Sequence, residues 1–536
     1  MKISFVSVED SITAIGFRKV ASVARAIRPD IEVCYVVPMG VRSFFKLLFR
    51  REKISACLSD EDLKTIGKHL AKADMVCFSS LTPFAEVTSK IIKAIRIANS
   101  KTYIVWGGIH PILDSEDAIQ YADAICVGEG ETAFPKFLSD YESGKDYTST
   151  GNFWFNASGK IIRNGFLPLH KPKGMEKFPP PLYADNELVY KKDEGFVPLG
   201  LSEYLLFNDL VYNTVWSIGC PNKCTYCGNS KFIENDKNYR KLRYPSVDHI
   251  IAEIKSVIVK HPHISTVRFH DDSFMAIPSK VLQEFAERWR KEINIPFWVY
   301  GLIPIFVKRH KLQILVRAGM NRVRMGIQSG SDRILAFYKR PNRPGLIANS
   351  MSTIGDFSRY MIAPFYDIIV DNPIETRDDV IDTLNLLYGA PRPYCLFVYG
   401  LRIIPNTEMA NDFAKLNICA KDVGEGLKAA KPTLANAMIY MLSVFRPPKW
   451  IYNRMRNHVK SYEDNGKCSV LFLICHVLYK FRVVYDMIKS LDFSVFPGKT
   501  GWVLWKLGII GLFQQRRMKR SWKEIRLDQE DYISHA

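Results

Sequence analysis

Ser217-Ile218-Gly219-Cys220-Pro221-Asn222-Lys223-Cys224-Thr225-Tyr226-Cys227-Gly228-Asn229-Ser230 holds three cysteines spaced Cys-x3-Cys-x2-Cys. Thiolates are soft ligands suited to iron–sulfur clusters or zinc. A compact loop of this kind points three sulfurs at one cluster. It leaves the fourth iron without a protein ligand, which is the open position a catalytic metal centre needs. A structural zinc takes a fourth Cys or His close by, and the nearest downstream histidines belong to a separate helix and strand. Cys34, Cys77, Cys126 and Cys395 sit singly in apolar stretches and read as small buried hydrophobes. Eleven cysteines with a single cluster among them are not a disulfide framework and imply a reducing compartment.

The loop follows an apolar stretch, Thr214–Ile218, that opens a strand–helix alternation. Further strands fit at Thr266–His270, Phe297–Gly301, Arg322–Gln328, Pro364–Val370 and Cys395–Ile403, with helical patterns such as Val247–Lys260, Lys280–Lys291 and Arg377–Tyr388 between them. Six such units over residues 211–425 predict a partial (β/α)6 barrel of TIM type, with its chemistry on the loops after the strands' carboxyl ends. Residues 1–140 carry a second alternation, with strands at Lys2–Val8, Glu32–Val37, Asp74–Ser80, Thr102–Trp106 and Ala124–Val127 and helices at Ala85–Ala98 and Ser115–Tyr121. The strands are near-continuous apolar runs, as in a parallel sheet covered on both faces, so a doubly wound, Rossmann-like α/β domain is expected. Residues 141–210 are rich in Gly, Asn, Lys and Pro and read as a linker wrapped against both neighbours. Residues 426–536 form a mainly helical, basic C-terminal region.

The cysteine spacing, the aromatic Tyr226 before the last cysteine and the Gly228-Asn229 that follows resemble the radical S-adenosylmethionine (radical SAM) superfamily. That resemblance implies a [4Fe–4S] cluster on Cys220, Cys224 and Cys227, whose open iron chelates the amino and carboxylate groups of S-adenosylmethionine. One electron then breaks the S–C5′ bond and releases a 5′-deoxyadenosyl radical. Later strand ends support it. His270-Asp271-Asp272-Ser273 puts Asp271 and Asp272 at the second strand's carboxyl end, where they are expected to accept hydrogen bonds from the ligand. Gly326-Ile327-Gln328-Ser329 ends the fourth, and Gln328 and Ser329 are expected at the ribose, with Gln where many relatives have Glu. Asp371-Asn372-Pro373-Ile374-Glu375-Thr376 resembles the fifth-strand loop, with Asp371 where glycine is usual. There, Thr376 with Asp379 also reads as a capping box. Asn406 likewise replaces a common glycine in the sixth loop.

In the N-terminal half, Ser79-Ser80-Leu81-Thr82, Gly107-Gly108-Ile109-His110 and Gly128-Glu129-Gly130 end successive strands, where open α/β sheets bind ligands. This set resembles the cobalamin-binding domain fused to many radical SAM enzymes. It implies Asp10, Ser79, Ser80, Thr82, Gly107, Gly108, His110, Gly128, Glu129 and Gly130 as cobalamin-binding residues. The loop Glu9–Gly16, where cobalamin modules carry a cobalt-ligating His, has none, so the cobalt is expected to lack that ligand. His110 belongs to the loop for the cofactor's tail.

The implied activity is methylation of an unactivated carbon, with oxidative cyclisation or rearrangement and a non-catalytic cobalamin or cluster sensor as the alternatives. An electron donor such as flavodoxin or ferredoxin is implied as partner. Methylthiolation of RNA needs an extra N-terminal cysteine set, and Cys34, Cys57, Cys77 and Cys126 lack that pattern. The formal net charge of +19 suggests an anionic partner, but no nucleic-acid motif is present. Trp450, Tyr452 and Arg454–Lys460, the apolar Val470–Tyr479, and Arg516-Arg517-Met518-Lys519-Arg520 could instead meet an anionic lipid surface, so a hydrophobic or lipid-like substrate is expected. The N-terminus has no signal-peptide anatomy, and the longest apolar run, Ser469–Tyr479, is too short to span a bilayer. A cytoplasmic protein, with the membrane surface as an option, is expected.

Overall fold

The computed structural model describes residues 1–38, 58–181, 183–418, 430–461, 468–489 and 498–527. Cys57 and the expected boundary at 425 lie outside them. Two sheets organise the chain. The first contains β1 (Ile3–Val8), β2 (Glu32–Val36), β3 (Met75–Ser80), β4 (Tyr103–Gly107), β5 (Ala124–Cys126), β6 (Phe153–Ala157), β7 (Lys160–Arg163), β8 (Glu187–Lys191) and β9 (Gly195–Pro198). Its order is β7-β6-β5-β4-β3-β1-β2-β8-β9. The run β5-β4-β3-β1-β2 is parallel throughout. From β1 the chain builds outward to β2 on one side and to β3, β4 and β5 on the other. A crevice therefore opens at the carboxyl ends of β1 and β3, the switch point where doubly wound sheets take ligands.

Successive strand residues enter different cores. Phe5, Val33 and Cys77 pack with the helix Ile15–Ile27 side, and Val6, Cys34 and Val76 pack on the opposite face. Burial on both faces is why these strands read as unbroken apolar runs. Cys34, Cys77, Cys126 and Cys395 are all buried.

The segment 141–210, expected as a linker, differs: it supplies four strands to the first sheet. β6 and β7 form a hairpin through Ser158 and Gly159, at φ 53° and 92°, the left-handed pair that a tight two-residue turn requires. β8 adds parallel to β2, and β9 pairs back on it.

The second sheet is β10 (Val211–Thr214), β11 (Thr266–Phe269), β12 (Phe297–Leu302), β13 (Met320–Gln328), β14 (Phe365–Val370) and β15 (Cys395–Gly400), in sequential order and all parallel. β10 and β15 are its two edges, so the barrel is partial. β10 ends at Thr214 rather than running over Thr214–Ile218, because the amides of Trp216 and Ser217 go to the Asp271 carboxylate instead of to a strand. The capping box of Thr376 and Asp379 opens the helix Arg377–Gly389. The C-terminal region is helical over Leu434–Val444, Lys449–Ser461, Ser469–Lys489, Gly498–Lys506 and Ile509–Glu524. Among the described residues no helix is long and apolar enough to cross a membrane.

Arg18 joins the two sheets. Buried on the helix Ile15–Ile27, it donates to Thr13 O (2.9 Å), Pro181 O (2.5 Å) and Asn213 O of β10 (2.7 Å). Its guanidinium lies 4.3 Å from the Tyr183 ring centroid.

Gly301, at φ 70°, lets β12 pass against the end of β11: a Cβ there would lie 1.9 Å from Asp271 O. Gly301→Ala is expected to cost about 3 kcal/mol or to abolish soluble expression, read as the thermal midpoint of the purified protein. An unchanged midpoint would show that this crossing is loose.

Candidate active site

The cysteine loop leaves β10 through a fixed turn. Asp271, only 2% exposed, accepts from Trp216 N (3.0 Å), Ser217 N (2.6 Å) and Ser217 Oγ (2.5 Å). Burial raises this carboxyl to about 6 against those bonds. Its oxygens are committed to the loop, so the expectation that Asp271 meets a ligand is corrected: it positions the cysteines. Asp272 does face them. Burial raises its pKa, Asn229 of the cysteine loop hydrogen-bonds it, and its charge in turn raises Cys220 and Cys227. Gly219, at φ 110°, brings the loop backbone onto Tyr239 O and Lys241 O, and a Cβ there would meet those oxygens at 2.8 and 2.6 Å.

Cys220 and Cys224 are buried and Cys227 is half-buried. Cys227 is raised to about 12, first by burial and then by Asp272 and its two neighbouring thiols. Cys220 is raised too, first by burial, so the pocket suits a cationic occupant that would favour the thiolates. An all-thiolate donor set of this kind suits an iron–sulfur cluster. Ser273 Oγ donates to Cys220 Sγ at 3.4 Å.

No sequence signal pointed to Arg340. Buried behind the loop, it donates to Gly326 O and to Tyr226 Oη (3.1 Å), and its Nη1 stands 4.0 Å from Cys224 Sγ. It places a fixed positive charge beside the thiols. Tyr226 packs edge-on against Tyr338. Gln328 takes φ 69° and folds back over Gly326, where an added Cβ would lie 2.5 Å from its Nε2. Ser329, expected at the ribose, is instead fully buried: its Oγ contacts Thr383 Oγ1 at 3.3 Å and accepts from Ser331 N. Asp371 and Asn406, the two residues in glycine's usual place, stand at φ 61° and 57°, the left-handed region that Asp and Asn enter more readily than other side chains.

A cavity of about 550 Å³ lies between the sheets at the β1/β3 switch point. Ser79, Gly107, Gly108, Gly128, Glu129 and Gly130 line it, as expected for the first sheet's loops. Asp10, Ser80, Thr82 and His110 are not among its lining residues. Asp10 is exposed. Ser80 Oγ accepts from Trp106 Nε1 at 2.9 Å. His110 is buried, its Nε2 3.0 Å from Asp117 Oδ2 and its ring tilted against Trp106. Its Nε2 is engaged, while its Nδ1 is buried without a partner among the described residues. Gly108, at φ 90°, lets its backbone press onto Ser79 and Ser80. Sequence reasoning missed Glu9, raised to about 8 by burial, and Phe166 and Leu167 from the supposed linker. It also missed Phe232, Tyr239 and His270 from the second half, all of which line the cavity. Glu129 is tied to Arg243 at 2.6 and 3.3 Å, and Arg243 pairs with Ile218 just before the cysteines. The helix after Cys227 thus forms one wall of the cavity, and the first sheet's loops form the other.

Asp271→Ala leaves two buried amides without an acceptor. It is expected to lower stability by about 2–4 kcal/mol and to reduce the iron retained after anaerobic reconstitution, whereas Asp271→Asn, keeping one acceptor, recovers part of both. Calorimetry and iron counting read this. Full iron content in the Ala variant would show that the turn does not depend on the carboxylate.

The radical SAM superfamily model matches residues 214–387, and the B12-binding domain model matches residues 52–138. The chain is 23% identical over 369 residues to an uncharacterized methyltransferase of Pyrococcus horikoshii, covering 67% of this chain and 75% of that one. It is 22% identical over 427 residues to bacteriochlorophyllide d C-8(2)-methyltransferase of Chlorobaculum tepidum, covering 78% and 83%. Its fold is similar to that of the radical SAM methyltransferase TsrM of Kitasatospora setae (TM-score 0.57, 16% identity, 78% and 76% covered). It is also similar to that of the cobalamin-dependent radical SAM enzyme OxsB (TM-score 0.59, 13% identity, 97% and 84% covered). The chain thus carries a B12-binding domain followed by a radical SAM domain on one polypeptide.

Proposed function

We propose that the protein is a C-methyltransferase acting on an unactivated carbon of a small molecule, with Cys220, Cys224 and Cys227 as the ligands of its [4Fe–4S] cluster. The carrying observation is the arrangement: a three-thiol loop at the carboxyl end of one parallel sheet, whose flanking residues Ile218 and Phe232 line the cavity at the switch point of the other. When bound, the reduced cluster supplies the electron that cleaves S-adenosylmethionine, and cobalamin supplies a transferable methyl group. The chain's own residues do the remaining work. Asp271 fixes the loop, Arg340 places a cation beside Cys224, and Gln328 presents an amide at the β13 mouth. The apolar cavity walls, among them Phe17, Phe134 and Phe232, exclude water. Ser79, Gly107, Gly108, Gly128, Glu129 and Gly130 are the residues that would hold cobalamin. No His stands in the Glu9–Gly16 loop, so that loop would offer cobalt no imidazole.

Methyl transfer is favoured over cyclisation because the relatives with methyltransferase names align over 67% and 78% of this chain, whereas two magnesium-protoporphyrin IX monomethyl ester cyclases align over 62% and 48%. Anaerobic reconstitution with iron, sulfide and cobalamin, followed by reduction with dithionite, is expected to give deoxyadenosine from S-adenosylmethionine. Cys224→Ala is expected to fall to the level of a protein-free control. With substrate present, a product heavier by one methyl supports transfer. Loss of two hydrogens would assign cyclisation, and wild-type protein that forms no deoxyadenosine would assign a sensor.

The hydrophobic substrate and the membrane contact rest on the helix Ser469–Lys489. Leu471, Ile474, Leu478, Phe481, Tyr485 and Ile488 form one exposed stripe along it, each 43–54% accessible. On a chain of net charge +19, such a face suits an anionic lipid surface. Flotation with vesicles containing phosphatidylglycerol is expected to carry the full-length protein up. Ile474→Glu with Phe481→Glu is expected to leave it at the bottom. Flotation unchanged by these substitutions, or a dimer that they dissolve, would overturn the lipid reading.

A further inference from the structure

The second sheet presents two unlike faces. Val267, Phe269, Val299, Val323 and Ile368 point to the helices and are buried in the core. The alternate residues point to the concave side, and there the chemistry changes. Arg268, Trp298 and Arg322 stand in register across β11, β12 and β13. The guanidinium of Arg268 lies 4.2 Å from the Trp298 ring and that of Arg322 lies 3.9 Å from it. Nearer the mouth, the Tyr300 ring is approached by Arg268 at 5.5 Å, Arg324 at 5.2 Å and the His270 ring at 5.0 Å.

These cations are not equivalent. Arg324 is satisfied, with Asp367 at 2.8 and 3.0 Å and Tyr399 Oη at 2.8 Å. Arg322 lies deeper, towards Cys395. Arg268 has aromatic neighbours but, among the described residues, no carboxylate and no hydrogen-bond acceptor, and its Nε is buried without a partner. His270 does not help: burial, Arg268 and Arg324 hold it down at about 3, and its Nε2 engages Asn213 Oδ1 at 2.9 Å. A guanidinium stays charged in any protein environment. Placed in a barrel interior, it loses water and gains a cation–π attraction, which does not replace a counter-ion. Stacking covers the faces of its plane and leaves the in-plane N–H donors available, the fork that binds a carboxylate or phosphate through two bonds.

The position also has a direction. Arg268 lies two residues below His270, about 7 Å along the strand, and His270 lines the large inter-sheet cavity. A molecule held at Arg268 therefore extends towards that cavity, past the aromatic sides of Tyr300 and Tyr399.

We propose that Arg268 is the receptor for an anionic group, a carboxylate or a phosphate, on the substrate. The inference rests on the enzymatic reading above and deepens it: the substrate is an acid whose apolar body lies along the aromatic barrel wall, with its anionic end deepest. Specificity then comes from an acid that Arg268 can pair, because Asp367 is already committed to Arg324.

The test uses the cluster-loaded protein under anaerobic conditions, with hexanoate and inorganic phosphate as probes and titration calorimetry as readout. At least one probe is expected to bind wild-type protein. Arg268→Gln is expected to weaken it about tenfold or more, the loss of a charge-assisted pair, and Arg268→Lys to recover part of the affinity. Whichever probe depends more on Arg268 names the group as carboxylate or phosphate. S-adenosylmethionine, titrated alongside, is expected to bind all three proteins equally. The inference is overturned if wild type binds neither probe, or if Arg268→Gln binds them as wild type does. It also fails if Arg268→Gln loses S-adenosylmethionine to the same extent, since the anion would then be that molecule's own carboxylate. Should the Gln variant not fold, the Lys variant decides by the same comparison. None of these readouts requires deoxyadenosine formation, so this inference and the catalytic reading fail separately.

Discussion

The Asp271 carboxylate, holding the amides of Trp216 and Ser217, is the contact on which the cysteine loop depends. A parallel strand that ends must send its next amides somewhere, and buried amides without acceptors are costly. Here they go to the neighbouring strand's own terminus, so the loop's origin is fixed to β11 rather than left to the loop. Gly301 makes this possible, since only a residue without Cβ lets β12 close over Asp271. The thiols inherit their positions from that corner, and Arg340 and Ser273 then act on thiols already in place.

The second sheet does not stand alone. Arg18 bonds to three backbone carbonyls from three separate stretches of chain, Thr13, Pro181 and Asn213. Such carbonyl acceptors are present whatever the side chains are, so the joint is geometric rather than sequence-specific. The Glu129–Arg243 pair adds a second tie next to the cysteine loop. Between the two lies the inter-sheet cavity.

Much of this was legible in the sequence. Cys-x3-Cys-x2-Cys after a strand announced the loop, and unbroken apolar runs announced two-faced parallel sheets. What the sequence could not show followed from long-range pairing. Asp271 and Asp272 are adjacent acids at a strand end, yet one faces inward to backbone amides and the other faces the thiols. No local pattern separates them. Ser80 and His110 looked available because their partners, Trp106 and Asp117, are revealed only by packing. The four strands in 141–210 were hidden by their shortness and by turn residues that resemble a linker. Arg340 lies 116 residues from Cys224. By contrast, Asp371 and Asn406 stood out as replacements for glycine, and their positive φ values show that the backbone shape was kept while the residue changed.

The inter-sheet cavity has one further consequence. Its lining comes from both halves, Glu9, Gly108 and Gly130 on one side and Ile218, Phe232 and His270 on the other. Any molecule filling it therefore works as mortar between two bricks, and its binding free energy is also a free energy of domain cohesion. Filled, the two sheets are expected to melt as one unit; emptied, they are held by direct contacts such as Arg18, Glu129–Arg243, Lys19 to Val215 O and Asn406 to Leu113 O, and the joint is expected to melt earlier.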